Sequence, residues 1–277
     1  CRGAWDRLDL YHGPNFKMHT TGRSGGIVTI HDLWLARHPE YSRKLLGQAG
    51  SSRRAIATAN RARRVVTVSE FSAREIEALY GIPRERVVVI HNGVTEEFSP
   101  VQDEQGMAVL RARWAIPSAG FILFVGGADP RKNHRVFLQA VAQSRSQLGG
   151  RAILLVGDAE HPQGSYLATA RSLGLEQDVR CTGRLNREDL CRLYSYAEVF
   201  VFPSLYEGFG MPVLEAMACG APTITSSTSS LPEVAGDAAL LVNPEDAEAL
   251  GAAMVKVLSE QALQQQLRDR GFERTRL

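Results

Sequence analysis

Between Phe121 and Val242 the chain alternates short apolar runs with stretches of helical period, and this rhythm restricts its fold more than any other feature. The runs are FILFV (121–125), AILLV (152–156), VRCT (179–182), VFVF (199–202), TIT (223–225) and ALLV (239–242). Runs this largely apolar suit strands buried on both faces, the mark of a parallel sheet covered by helices. HRVFLQAVAQSRSQ, SYLATARSLG, REDLCRLYSY, PVLEAMACG and LPEVAG lie between or after them and read as the covering helices. Six strands, each followed by a helix, predict a complete doubly wound α/β domain.

The first part of the chain reads the same way but is shorter. Its predicted strands are LDLY (8–11), IVTI (27–30), VVTV (65–68) and VVVI (87–90). Helices are expected between Arg43 and Arg63 and from Ser72 to Tyr80, with Ser72 as N-cap and Gly81 as the stop. HNGVTEEFSPVQDEQG (91–106) reads as a linker, so two Rossmann-like domains are expected, 1–93 and 94–277. The first lacks an opening strand–loop–helix unit. Together with a start at Cys1 and an end at Leu277 without a return helix, this gives the expectation of a chain truncated at the N-terminus and at the C-terminus.

A net charge of +2 conceals an asymmetry: residues 1–93 hold 15 Lys/Arg against 8 Asp/Glu, and residues 94–277 hold 17 against 22. The basic excess gathers at Arg53, Arg54, Arg61, Arg63 and Arg64. It reads either as a solvated helix face or as attraction to an anionic membrane or a lipid-diphosphate acceptor. No nucleic-acid motif accompanies the charge. No apolar run approaches the roughly 20 residues of a spanning helix, and a cytoplasmic protein, peripheral at most to the inner membrane face, is expected. Cys1, Cys181, Cys191 and Cys219 form neither a CxxC pair nor a zinc-like spacing, and read as small buried hydrophobes.

The segment with the clearest chemistry is FPSLYEGFGMPVLEAMACG (202–220). A buried strand ends at Phe202, a loop carries Glu207, Gly208, Phe209 and Gly210, and a helix starts near Pro212, where proline suits the first turn. Glycines before a helix start allow close backbone approach. The N–H groups of Met211, Val213 and Leu214 would then face a phosphate or diphosphate. Glu207 and Glu215, spaced E-x7-E, are suited to sugar hydroxyls flanking that phosphate. On the facing loop, FVGGADPRKNH (124–134), Arg131 and Lys132 supply cations before a helix that Asn133 is expected to cap.

EGFGMPVLEAMACGAP, GGADPRKN, VTVSEFSAREI and HNGV together resemble the retaining GT-B glycosyltransferases of family 4, over roughly Ile27 to Glu248. The resemblance implies two Rossmann-like domains facing a cleft, a nucleotide-sugar held mainly by the second, and no cofactor or metal, in keeping with the absence of a DxD triplet. It implies that Glu207 contacts the donor sugar and that Gly208, Phe209 and Gly210 line it. Met211, Pro212 and Val213 would take the diphosphate at the helix start. Glu215 would bind ribose, and Lys132 would neutralise the leaving diphosphate. Gly183, Arg184 and Leu185 resemble the loop beneath the nucleobase. His31, ending the strand in VTIHD, would orient or polarise the donor, whereas His12 and His91 read as structural. One departure stands out: many members carry arginine where this chain has Gly127, and Arg131 is the candidate substitute. VTIHDL and DPRKN resemble mannosyltransferases of surface polysaccharide assembly, which makes GDP-mannose the first donor expectation and a glycan or lipid-linked molecule the acceptor. Other readings stay open: another GT-B enzyme, such as a nucleotide-sugar epimerase or a phosphorylase, or a non-catalytic nucleotide-sugar-binding module. A dinucleotide-dependent oxidoreductase is disfavoured, because EGFGMP is not GxGxxG and lies in a late βα unit.

Overall fold

The computed structural model describes residues 9–18, 25–38, 49–161 and 164–276. The expectations that fall on Cys1, Leu8 and residues 43–48 lie outside the described residues, as does the side chain of Arg53. The chain divides into two compact units: Cys1–Asn92 with Glu207–Phe209, and Gly93–Tyr206 with Gly210–Leu277.

The first unit contains a parallel sheet of order β1-β2-β3-β4, formed by Leu10–Gly13 (β1), Gly25–Thr29 (β2), Arg64–Thr67 (β3) and Val87–Val89 (β4). β1 starts two residues later than the LDLY reading, and the other three boundaries move by one or two residues. The core is aliphatic, with Val28, Ile30, Val65, Ile76 and Ile82 essentially inaccessible. The helix after β3 spans Glu70–Tyr80 and is capped by Ser69, not by Ser72. Ser69 has the extended backbone that an N-cap needs (φ −155°, ψ 156°), and its Oγ accepts the Ser72 N–H at 3.0 Å. Ser72 is thus inside the first turn. Gly81, left-handed at φ 65°, ends the helix as expected. Arg86 is spent structurally: its Nη2 donates to the carbonyls of Ala59, Asn60 and Ala62, at and just past the end of the helix Ala49–Arg61. Arg54, Arg61, Arg63 and Arg64 are exposed.

The second unit contains a six-stranded parallel sheet. Its strands are Phe121–Val125 (β5), Ala152–Val156 (β6), Val179–Gly183 (β9), Val199–Phe202 (β10), Thr223–Ser226 (β11) and Ala239–Val242 (β12), in the order β12-β11-β10-β5-β6-β9. A short antiparallel pair that the apolar pattern does not signal, Glu160–His161 (β7) with Gly164–Ser165 (β8), follows β6. The helix Glu104–Arg113 starts within the stretch that reads as linker, its first turn capped by the Asp103 carboxylate. Contrary to the expectation of no return helix after the last strand, two helices, Ala247–Ser259 and Gln261–Arg274, follow β12. The chain runs outward from β5 through β6 to β9 and then returns to lay β10 on the other side of β5. Strand order therefore reverses between β5 and β10, and open α/β sheets bind ligands outside the carboxyl ends of such a pair.

His134 opens the helix His134–Ser144 beneath this edge and is 2% exposed. Its Nδ1 has no hydrogen-bond partner among the described residues, and its ring meets Tyr166 edge-on at 5.1 Å. Burial, reinforced by Arg135, depresses its pKa from 6.5 to about 4. The native state thus rejects a proton that the unfolded chain accepts, so stability is lost as pH falls from about 6.5 toward 4. Urea unfolding of the wild type is expected to lose about 2–3 kcal/mol across that window, and His134→Gln to show a flatter dependence.

Candidate active site

Two loops meet at the reversal point, one after β5 and one after β10. In the first, the Asp129 carboxylate accepts the backbone N–H of Arg131 at 2.9 Å and its Nε at 3.0 Å, while Nη2 lies 3.0 Å from Oδ2. Burial would push the Asp129 carboxyl up, but the Arg131 guanidinium and backbone N–H outweigh it and hold the group below its ordinary value. Arg131 thus fastens its own turn, with its guanidinium against a carboxylate. Lys132 places Nζ 5.0 Å from the centre of the Phe202 ring, a cation–π arrangement at the end of β10.

Asn133 does not cap the following helix with its side chain. At φ 61° it is left-handed, and its amide donates instead to the carbonyls of Pro203 at 3.1 Å and Pro244 at 2.6 Å. The loop after β10 is sewn to the loop after β5 as well. The Leu205 N–H and the Ser204 hydroxyl both donate to the Arg131 carbonyl, at 2.8 and 2.9 Å. Thr225 and Ser226 of β11 cover the carbonyls of Phe202 and Ser204.

The helix after this loop spans Met211–Ala218, with Pro212 in its first turn and Gly210 as N-cap at φ 114°. Only glycine adopts this conformation readily, and a Cβ there would sit 2.6 Å from Leu231 Cδ2. The Val213 N–H is not available to a ligand as the sequence suggests; it donates to the Gly210 carbonyl at 2.9 Å, which closes a tight first turn. Glu215 lies one turn in and is half-buried. Its Oε2 accepts the Tyr194 hydroxyl at 3.3 Å. Burial raises the Glu215 carboxyl, opposed by Tyr194 and by Arg187. Tyr194 is fully buried, edge-on to Phe98 and Phe200. Sequence reasoning missed it, because a tyrosine on an apolar helix face looks like core until its hydroxyl is seen to reach a carboxylate.

Beside Lys132 lies a cleft of about 500 Å³ along the ends of β5, β6 and β9. Arg184 lines it from the loop after β9, following Gly183, which is left-handed at φ 72°. Gly127 lines it too, and a Cβ there would come no nearer than 3.9 Å to any atom beyond its chain neighbours. Gly127→Arg is therefore expected to fold with stability within about 0.5 kcal/mol of the parent. It should bind nucleoside diphosphate roughly tenfold more tightly, since a hydrogen bond to a charged group contributes about 1.5–3 kcal/mol. Titration calorimetry of both chains with GDP and UDP checks this.

The other candidate residues belong to the first unit. His31 is exposed at the end of β2, and its Nε2 lies 2.9 Å from the Pro14 carbonyl oxygen. A carbonyl only accepts, so Nε2 carries the proton, and Nδ1 of the neutral ring is left as an acceptor. Glu207, Gly208 and Phe209 group with this unit. The Ser69 and Ser72 hydroxyls donate to the Gly208 carbonyl at 2.7 and 3.2 Å, and a Cβ on Gly208 would collide with the His31 carbonyl oxygen. Phe209 is buried with its ring 6.0 Å from that of His91. His12 bonds Thr29 Oγ1 at 2.8 Å, a structural tie between neighbouring strands.

Among the described residues Cys181, Cys191 and Cys219 are unpaired thiols, and no group of three or more His, Cys, Asp or Glu is arranged to hold a metal ion. No described helix is long and apolar enough to cross a membrane.

Two α/β units with parallel sheets, the second doubly wound with its strand order reversing between β5 and β10, make up a GT-B glycosyltransferase fold. Residues 109–274 match the family model Glycosyl transferases group 1, and residues 3–98 match Glycosyltransferase Family 4. The chain belongs to the glycosyl transferases group 1 family. It is 33% identical over 278 residues to the O-antigen chain mannosyltransferase B of Escherichia coli, covering 98% of this chain and 72% of that protein. It is 35% identical over 217 residues to the serotype-specific mannosyltransferase WbdA of Escherichia coli, covering 77% of this chain but only 26% of WbdA. Among solved structures, sucrose-phosphate synthase from Thermosynechococcus elongatus superposes with a TM-score of 0.76 at 26% identity, over 97% of this chain and 69% of that one. Anabaena HepE in complex with UDP-glucose superposes with a TM-score of 0.80 at 21% identity, over 99% and 75%, a likeness of fold.

Proposed function

We propose that this chain is a retaining, metal-independent hexosyltransferase that moves mannose from GDP-mannose to a hydroxyl of a glycan or lipid-linked acceptor in surface polysaccharide assembly. The observation that carries the reading is the pairing of Lys132 with the glycine-capped helix start at Met211, on the two loops that flank the strand reversal between β5 and β10. A nucleoside diphosphate there meets an ammonium group and a helix N-terminus, two sources of positive potential directed at charge that grows as the sugar–phosphate bond breaks. The names of the Escherichia coli relatives support mannose as the sugar and polysaccharide as the setting.

In this reading the acceptor hydroxyl attacks the face from which the diphosphate departs, the leaving phosphate takes the hydroxyl proton, and the α configuration is kept. Glu207 steadies the positive charge on the sugar, and His31 orients the donor. Glu215, held by Tyr194, takes the ribose hydroxyls. The exposed arginines at the end of the helix Ala49–Arg61 bring the protein to an anionic membrane surface on the cytoplasmic side. The test is transfer of radiolabelled mannose from GDP-mannose, with and without EDTA, followed by NMR assignment of the product anomer. An α-linked product formed in EDTA is expected. A β-linked product would overturn retention, and loss of turnover in EDTA would overturn metal independence. Turnover without acceptor, or dependence on inorganic phosphate, would point to epimerase or phosphorylase chemistry.

A further inference from the structure

The hydroxyl of Tyr166 is not needed to fill its site. The ring is fully buried, edge-on to Phe124 at 6.0 Å and to His134 at 5.1 Å, a setting that phenylalanine would fill equally well. Tyr166 opens the helix Tyr166–Ser172, which Ser165 caps by accepting the Ala168 N–H at 3.2 Å, and its own N–H donates to the Ala159 carbonyl at 2.9 Å. So anchored, the side chain sends its hydroxyl to the loop after β5, 40 residues away in the chain, where it donates to the Gly126 carbonyl. Burial pushes the phenol far above its ordinary value, so it keeps its proton and acts as the donor. Gly126 in turn touches Lys132. A Cβ on Gly126 would lie 3.0 Å from Lys132 Cγ and 3.3 Å from its Cβ, so the glycine forms a wall along which the lysine stem runs. The Gly126 N–H donates to the Val156 carbonyl at 2.9 Å, and Gly157 approaches so closely that a Cβ there would lie 2.2 Å from the Gly126 oxygen. The Tyr166 hydroxyl completes this clasp around one peptide.

We infer that Tyr166 is a positioning residue for glycosyl transfer: by holding the Gly126 carbonyl it fixes the wall against which the Lys132 stem lies, and so the place of the ammonium group. The inference rests on the assignment of Lys132 to the leaving diphosphate. Charge lowers a barrier most when it is in place before the bond breaks. A lysine stem is flexible and its ammonium group is a point charge, so its position is set by what the stem packs against. Those neighbours include Gly126 along the stem and the Phe202 ring, 5.0 Å from Nζ. Phe202 belongs to a buried strand, whereas Gly126 lies just past β5 and is followed by a second glycine, Gly127, where the backbone is soft without a tie. Tyr166 supplies that tie. Its ring is inaccessible from the cleft, so the hydroxyl acts on the reaction through Gly126 and not by meeting the donor.

The experiment is a double-mutant cycle of Tyr166→Phe and Lys132→Ala in the full chain. It is read as kcat for transfer from radiolabelled GDP-mannose at saturating donor, with GDP affinity by calorimetry and the thermal midpoint alongside. Tyr166→Phe is expected to lower kcat about tenfold or more, since a misplacement of about 1 Å can cost a factor on the order of 100. GDP affinity should stay within about twofold of the wild type, and in the Lys132→Ala background the same substitution should change kcat by less than about twofold, because the group it positions is gone. Gly126→Ala keeps the hydroxyl bond but crowds the Lys132 stem, and should reproduce the loss in kcat even if Tyr166→Phe does not fold. Equal fractional losses from Tyr166→Phe in both backgrounds would show a structural role alone and overturn the inference, as would a wild-type kcat in Tyr166→Phe or in Gly126→Ala. If Lys132→Ala keeps the wild-type kcat, the assignment of Lys132 fails, and the inference with it. No transfer by the wild type would overturn the GDP-mannose reading, and with it this account of the rate.

Discussion

Replacing Lys132 by alanine is expected to lower kcat for glycosyl transfer by about 10²–10³-fold, the usual loss when a preorganised group facing developing transition-state charge is removed. The position is built for one residue type. Gly126 opens the space that the Lys132 stem occupies, since a Cβ on Gly126 would lie 3.0 Å from Lys132 Cγ. The Phe202 ring, 5.0 Å from Nζ, holds the ammonium group at the end of β10. The neighbouring cation offers little compensation, because Asp129 engages the guanidinium of Arg131. Lys132→Arg should restore part of the rate by supplying charge with a different shape. Rates under saturating donor, together with calorimetric affinity for GDP, separate the two contributions. A loss in kcat larger than the loss in GDP affinity is expected if the charge acts on the leaving group. Equal losses would show that Lys132 only binds.

Asn133→Ala is expected to destabilise the second unit by about 3 kcal/mol, combining a left-handed alanine (about 1 kcal/mol) with two buried carbonyls that lose their donor (about 1 kcal/mol or more each). Asn133 is 6% exposed, and its amide bridges Pro203, after β10, to Pro244, after β12. A graded series isolates the two terms by urea unfolding. Asn133→Gly removes the backbone strain and keeps the loss of the donor, so it should be milder than alanine. Asn133→Asp should be at least as damaging as alanine, because a carboxylate would face two carbonyl oxygens. An unperturbed midpoint for Asn133→Ala would show that the tie does not hold these loops together. Because the same loops present Lys132 and the start of the helix Met211–Ala218, donor affinity is expected to fall with stability.

Four strands of the second unit were legible because each is an uninterrupted apolar run: FILFV, AILLV, VFVF and ALLV coincide with β5, β6, β10 and β12 residue for residue. The helix Gln261–Arg274 was not, since QALQQQLRDRGFER carries no clear apolar stripe and buries only Leu267 and Gly271. Caps were legible in type but not in position. Ser69 and Ser72 both suit an N-cap, and only the extended backbone at Ser69 decides between them. Asn133 suits a cap equally well, yet its left-handed backbone directs the amide to two carbonyls 70 and 111 residues away.

The sequence alone determined that the chain is parallel α/β and that loops rich in glycine and proline follow the runs ending at Val125 and Phe202. Both conclusions rest on local periodicity and on the chemistry of glycine and proline at a helix start. Tertiary structure decided which polar groups are already engaged. Arg131 is paired with Asp129, the Val213 N–H is used by Gly210, Glu215 is held by Tyr194, and Asp158 meets Arg184. The physical reason is the same in each case: a hydrogen bond depends on distance and angle, and sheet register sets these between residues far apart in the chain.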